Sequence, residues 1–172
     1  SQGTVYVLNA DSHTYSDILW AHRPDGHIDR LVLDKFGIDD PMGLCVSNSD
    51  QRVYVGSGYM DPTSPEQTEV YGFGTEDLGL QRRVTIRGMG SVTGMVVHPR
   101  SGMLWVIGVR IGERPLLPGV MDPVFYQGYM AVMRPGEEEV EAIPLTGTEG
   151  TAGSDLALPT SELTVDELDL QL

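Results

Sequence analysis

At 172 residues, with 40% hydrophobic side chains, the chain has the length of one domain and enough apolar residues for a real core. Its net charge of −14, from 25 acidic against 11 basic residues, repels phosphate backbones and argues against a nucleic-acid partner. No apolar run approaches the ~20 residues of a membrane helix, so no membrane span is expected. The single Cys45 leaves no intrachain disulfide and no cysteine-based zinc cluster.

Period-2 apolar alternation, bounded by turn residues, recurs along the chain and predicts an all-β fold. Ser1-Gln2-Gly3-Thr4 leads directly into a strand over Val5–Leu8, with no signal-peptide pattern. Strands over Ile18–His22 and Ile28–Leu33 follow, joined by the turn Arg23-Pro24-Asp25-Gly26. Leu44–Val46 with Val53–Val55 reads as the next hairpin, and Glu69–Phe73 with Leu80–Ile86 as another. Met95–Val97 with Leu104–Ile107, and Tyr129–Met133 with Val140–Leu145, complete the series. Cys45 falls in an apolar strand, which reads as a buried structural thiol.

Two stretches repeat one pattern. Pro41-Met42-Gly43-Leu44-Cys45-Val46 leads through a Ser/Asn/Asp turn to Arg52-Val53-Tyr54-Val55-Gly56. Val92-Thr93-Gly94-Met95-Val96-Val97 leads through Pro99-Arg100-Ser101-Gly102 to Met103-Leu104-Trp105-Val106. Gly43 and Gly94 each stand ten residues before the matching Val53 and Leu104. Four strand types follow in fixed order, a-b-c-d, and the chain begins at b. A recurring unit of about 50 residues built from short apolar strands is the sequence form of a β-propeller blade.

The expected organisation is a partial propeller over residues 4–158. Strands b-c-d occupy 4–33, one blade 41–86, a second 91–145, and a further blade starts at 153–158. Residues 159–172 read as an acidic tail or an extra strand: Thr160-Ser161-Glu162-Leu163 suits a helix start, while Leu168, Leu170 and Leu172 alternate. The a–b and c–d connections are tight hairpins. The b–c connections, Ala10–Asp17, Gly58–Thr68 and Arg110–Gly128, are long and gather on one face, where function is expected.

The motif Pro41-x-Gly43-Leu44-Cys45-Val46 followed by Val53-Tyr54-Val55 resembles the blade signature of NHL-repeat, SMP-30/gluconolactonase-like and YncE-like β-propellers. The resemblance covers most of residues 4–158 and implies a ring of six or seven four-stranded antiparallel blades, of which about three are present here. The chain is therefore expected to be completed by remaining blades, from the same longer chain or from another subunit. Lactonases of the SMP-30 kind hold a divalent cation, for which calcium and oxygen ligands are suited. By loop position, the nearest metal candidates are Asp11, Asp61 and Asp122, with the pair Asp39-Asp40 before a strand a; Met60-Asp61-Pro62 and Met121-Asp122-Pro123 also suit simple turn formation.

Ligand-binding candidates lie in the same loops. His13 lies in the first, placed to line a pocket. Arg110 and Arg114, with Glu113 between them, suit a carboxylate or phosphate ligand, or else an ion pair with Glu113 or a neighbouring loop. Tyr59 and Tyr126, with Phe125 and Tyr129, suit an aromatic-rimmed pocket for a sugar or small apolar ligand. His98 reads as structural, and His22 and His27 as surface residues. The sequence holds no Ser-His-Asp order, phosphate loop or metal-spaced His pair, and no catalytic residue is assigned. Two functions stay open: a secreted or periplasmic binding module for a small molecule or protein, and a lactonase-like hydrolase or a lyase. The apolar strand a positions, Leu44–Val46 and Met95–Val97, lean toward binding.

Overall fold

The computed structural model describes residues 3–9, 17–38, 40–58, 66–117, 120–145 and 150–151, with the account of 111–126 and 150–151 limited to the backbone. Thirteen strands form among these residues: β1 (Val5–Asn9), β2 (Ile18–His22), β3 (Ile28–Val32), β4 (Pro41–Ser47), β5 (Arg52–Ser57), β6 (Gln67–Gly74), β7 (Leu80–Arg87), β8 (Ser91–Val97), β9 (Leu104–Leu117), β10 (Val120–Met133), β11 (Glu139–Glu141), β12 (Ile143–Pro144) and β13 (Gly150–Thr151). The only helical turn among them is a 3-10 turn over Leu33–Phe36, closed by Gly37 at φ 73.

Three antiparallel meanders result. The first sheet is β1-β2-β3, the middle sheet runs β4-β5-β6-β7, and the third runs β8-β9-β10-β12, with β13 also on β10. Most of the expected strands fall within these elements, several of them lengthened at one or both ends, while the strand expected over Ile28–Leu33 stops at Val32, where Leu33 opens the 3-10 turn.

The middle sheet is buried on both faces. Val53, Val55, Tyr71 and Phe73 pack with Leu19, Ala21, Leu33 and Ile38 of the first sheet and the segment after it. Tyr54, Val70, Val84 and Ile86, on the opposite face, pack with Met89, Val92, Leu104, Val106 and Met133. Successive side chains of a strand point to opposite faces, so a strand covered on both sides loses its apolar/polar alternation. That is why β5 and β6 read as nearly continuous apolar runs and are almost wholly buried.

Glycine lets the sheets approach. A Cβ at Gly43 would lie 2.9 Å from Val92 Cγ1, and one at Gly58 would lie 2.2 Å from the carbonyl oxygen of Asp40. The Gly43 of the repeated motif is thus required by close contact with the next sheet, not by an unusual dihedral.

Two expectations are corrected. The segment 110–128 is not a loop: β9 and β10 run on as a two-stranded ribbon from Arg110/Gln127 to Leu117/Val120. Its register shifts between Asp122 and Phe125, where Pro123 interrupts the ladder. The hairpin expected between Tyr129–Met133 and Val140–Leu145 is divided. Glu139–Glu141 leaves the third sheet and pairs in parallel with β7, Glu139 facing Thr85 and Glu141 facing Arg87. Only Ile143–Pro144 returns to β10. Electrostatics and main-chain bonds drive the detour. Arg87 Nε lies 3.0 Å from Glu139 Oε1, Thr85 N–H donates to Glu138 O at 2.9 Å, and Ala142 N–H donates to Arg87 O at 2.8 Å.

Candidate functional site

The b–c connections and the links between sheets emerge at one rim. Along the described part of that rim, hydrogen bonds join all three sheets. Asp17, 7% exposed, accepts the Asp40 N–H on Oδ2 at 2.8 Å. Its own N–H donates to Asp34 Oδ1 at 3.0 Å, and its carbonyl accepts the Leu33 N–H at 2.8 Å. Asp40, held at φ 47, passes the chain of bonds to Gly58, whose N–H donates to Asp40 O at 3.0 Å. Ser91 Oγ then donates to Gly58 O at 2.8 Å. A buried carboxylate is costly unless hydrogen-bonded, and here Asp17 uses its acceptors to order the crossing from first to middle sheet.

Arg110 lies where the ribbon leaves the third sheet, and its guanidinium pairs with the Glu66 carboxylate at the start of β6. The Glu66 carbonyl accepts the Gly88 N–H at 2.6 Å. Of the alternatives read from sequence, the structure places Arg110 in an ion pair with a neighbouring connection. Arg114 and Asp122 occupy facing positions on β9 and β10, and Tyr126 faces Ile111. Asp11, His13, Tyr59, Asp61 and Asp39 lie outside the described residues. Among the described residues no group of three or more His, Cys, Asp or Glu is arranged to hold a metal ion.

The opposite rim, formed by the tight hairpins, carries a second polar system that sequence reasoning did not single out. Asp50 Oδ2 accepts from Tyr54 Oη at 2.6 Å and from Arg52 Nη1 at 2.9 Å. Burial pushes the Asp50 carboxyl up, but hydrogen bonds from Ser47, Tyr54 and Arg52 outweigh it and hold the group below its ordinary value. Arg82 reaches the Tyr54 hydroxyl at 3.2 Å and the carbonyls of Arg134 and Glu137, each at 2.8 Å. It thereby anchors the turn before β11. Arg83, next along β7, points to the other face and grips Glu69 through two nitrogens at 2.8 and 2.7 Å. Tyr71 Oη donates to the same carboxylate. These arginines line an open polar hollow of about 680 Å³ between β6, β7 and residues 136–138.

His98 closes the β8–β9 hairpin. It is 8% exposed, and its Nδ1 accepts the Ser101 N–H at 3.1 Å, which makes it a turn-former as expected. His27 is exposed and pairs with Asp29 at 3.0 Å. Cys45 is half-buried against the core between middle and third sheets. Burial, with the Asp50 charge adding to it, pushes its thiol up to about 12, so it is no nucleophile at neutral pH.

Arg110, Asp50, Arg52, Arg82, Arg83 and Glu69 are thus each engaged by structural partners. Compared with known proteins, the chain matches no family model and no curated protein.

Proposed function

We propose that the chain is a set of propeller blades acting as a binding module, with the ligand taken at the rim of the long b–c connections. Further blades, from the same longer chain or another subunit, complete the ring in this reading. The observation that carries it is the three-sheet stack whose middle sheet is covered on both faces. Propellers repeat such sheets radially, and each needs a neighbour on either side. The β9–β10 ribbon extends the rim by about 23 Å beyond Arg110, from seven residues at ~3.3 Å each, and a lone ribbon is marginal in water unless something packs on it. Binding is favoured over catalysis because Arg110 and Asp17 are spent on structural bonds.

The test is thermal unfolding and calorimetric titration against calcium, simple sugars and sugar lactones. A ligand that raises the melting temperature without being turned over, and loses its effect when Asp61→Ala and Asp122→Ala are combined, supports a rim-binding module. Turnover of a lactone favours the lactonase-like alternative. Equal calcium affinity in wild type and double variant leaves these aspartates as turn formers. A ligand seated at Ser47–Gln51 or Pro99–Gly102 sinks the assignment of faces.

A further inference from the structure

The chain has two tryptophans, and they stand on the two sheet faces that point out of the stack. Trp20 on β2 faces Val7 of β1 and Arg30 of β3. Beside it Val5 is 59% exposed, Val7 44% and Ile28 49%, and Val7 and Ile28 border with Trp20 an apolar hollow of about 440 Å³. Trp105 on β9 faces Val96 of β8 and Val132 of β10. Its neighbours on either side, Leu104 and Val106, point the other way into the core. On this outward face Val96 is 48% exposed and Ile143 is 59% exposed. A soluble protein rarely leaves two such apolar faces in water, and tryptophan at the centre of a patch marks a contact surface.

We propose that a second copy of this chain docks head to tail, the Trp20 face of one against the Trp105 face of the other, and that two copies close a ring of six sheets. The proposal rests on the propeller reading above and adds the identity of the missing half.

Continuity is the first argument. Within the chain, each sheet already packs an apolar face on the next, and the Trp105-to-Trp20 contact repeats that arrangement once more. Charge is the second. Arg30 lies over the Trp20 ring at 5.6 Å; pairing two Trp20 faces would oppose two buried guanidiniums, whereas the Trp105 face offers an aromatic surface. Closure is the third. Radial arrays of four-stranded sheets close at about four to eight. Among the described residues one copy supplies three sheets, and two such copies make six, within that range. Area is the fourth. Three strands of five residues span roughly 14 by 17 Å, about 240 Å² of flat sheet before side-chain relief is counted. One such contact is well short of the ~800 Å² per partner of a specific interface; a closed pair uses both faces, about 480 Å² of flat sheet per copy, and side-chain relief must supply the rest. A head-to-tail contact that did not close would grow as a filament.

The experiment is sedimentation of the full chain, with tryptophan emission followed on dilution. Wild type should sediment at twice 18.8 kDa, and dilution should dissociate it with a red shift as both indoles meet water. Val7→Arg and Val96→Glu, at exposed positions that leave the core intact, should each give a folded monomer with red-shifted emission and unchanged circular dichroism. Mixing the two variants should restore the dimer, since one contact is then intact and the other opposes charges of opposite sign. A wild-type monomer at tens of micromolar, a dimer that survives either substitution, or a mixture that stays monomeric overturns the proposal while leaving the rim reading to its ligand test. Mass rising beyond two copies with concentration also overturns it, and takes the closed-ring reading with it.

Discussion

A Cβ placed on Gly56 would lie 2.5 Å from Val92 Cγ1, so the backbone of β5 is in direct contact with a side chain of the third sheet. Gly56→Ala should therefore destabilise by about 1–3 kcal/mol through overpacking, read as a lower urea midpoint at unchanged slope. In a Val92→Ala background the same substitution should cost less, because the added methyl finds room. A double-mutant cycle that showed strict additivity would remove the contact as the cause.

Arg23 fastens the first sheet to the turn of the middle one. Its Nη1 and Nη2 donate to the carbonyls of Thr75 and Glu76 at 2.5 and 2.7 Å, while Nε holds Asp29 at 2.6 Å. Tyr6 Oη donates to the same Thr75 carbonyl at 3.0 Å. Arg23→Ala should cost about 1–2 kcal/mol from the two main-chain bonds. It should also raise amide exchange in β1 and β2 before exchange rises in β5. Equal acceleration in all three strands would show that Arg23 fastens nothing in particular.

Glu69 gives the fold a pH dependence. Burial pushes its carboxyl up, but hydrogen bonds from Arg83 and Tyr71, with the Arg83 charge, hold it below its ordinary 4.5. A depressed carboxylate contributes stability that is full above 4.5 and is lost as pH falls through the folded value. The gap in stability between wild type and Glu69→Gln should be constant near neutrality and close under acid. On the alkaline side the Tyr71 phenol, raised by burial and by the Glu69 carboxylate, contributes stability present below its ordinary 10.0 and lost above it. Acid unfolding curves of the two proteins that stayed parallel down to the lowest pH would sink the assignment.

The Cys45 thiol, raised from 9.0 to about 12, should react with iodoacetamide about a thousandfold more slowly in the folded protein than in urea. The comparison is made at pH 8. Similar rates in the two states would mean that the strand opens readily around the thiol.

Much of this was legible in the sequence because it is local. Arg23-Pro24-Asp25-Gly26 marks the end of β2 at His22 and the start of β3 at Ile28, and the structure agrees. Apolar alternation around Trp105 marked β9, though not its continuation to Leu117, since the segment from Arg110 to Gly128, with Met121-Asp122-Pro123, read as a long loop. The detour of Glu139–Glu141 to β7 depends on Arg82 and Arg87, some fifty residues earlier, and no local pattern announces it. At the rim, the ion-pair alternative for Arg110 was legible, but its partner Glu66 was not. The burial of Asp17 was missed because it comes from the Asp40 N–H, 23 residues away.

The crossing of β11 also sets which parts can come apart separately. The middle sheet has its last strand delivered by the turn that follows β10, so its edge on β7 is closed only when the third sheet is in place. Middle and third sheets should therefore unfold as one cooperative unit, sharing the core around Tyr54, Val92 and Met133. Among the described residues the first sheet exchanges no strand with its neighbour and is held by side chains and the Asp17 junction. It is the part free to open first, at a cost below that of global unfolding, and it carries one of the two outward tryptophans on the segment that opens.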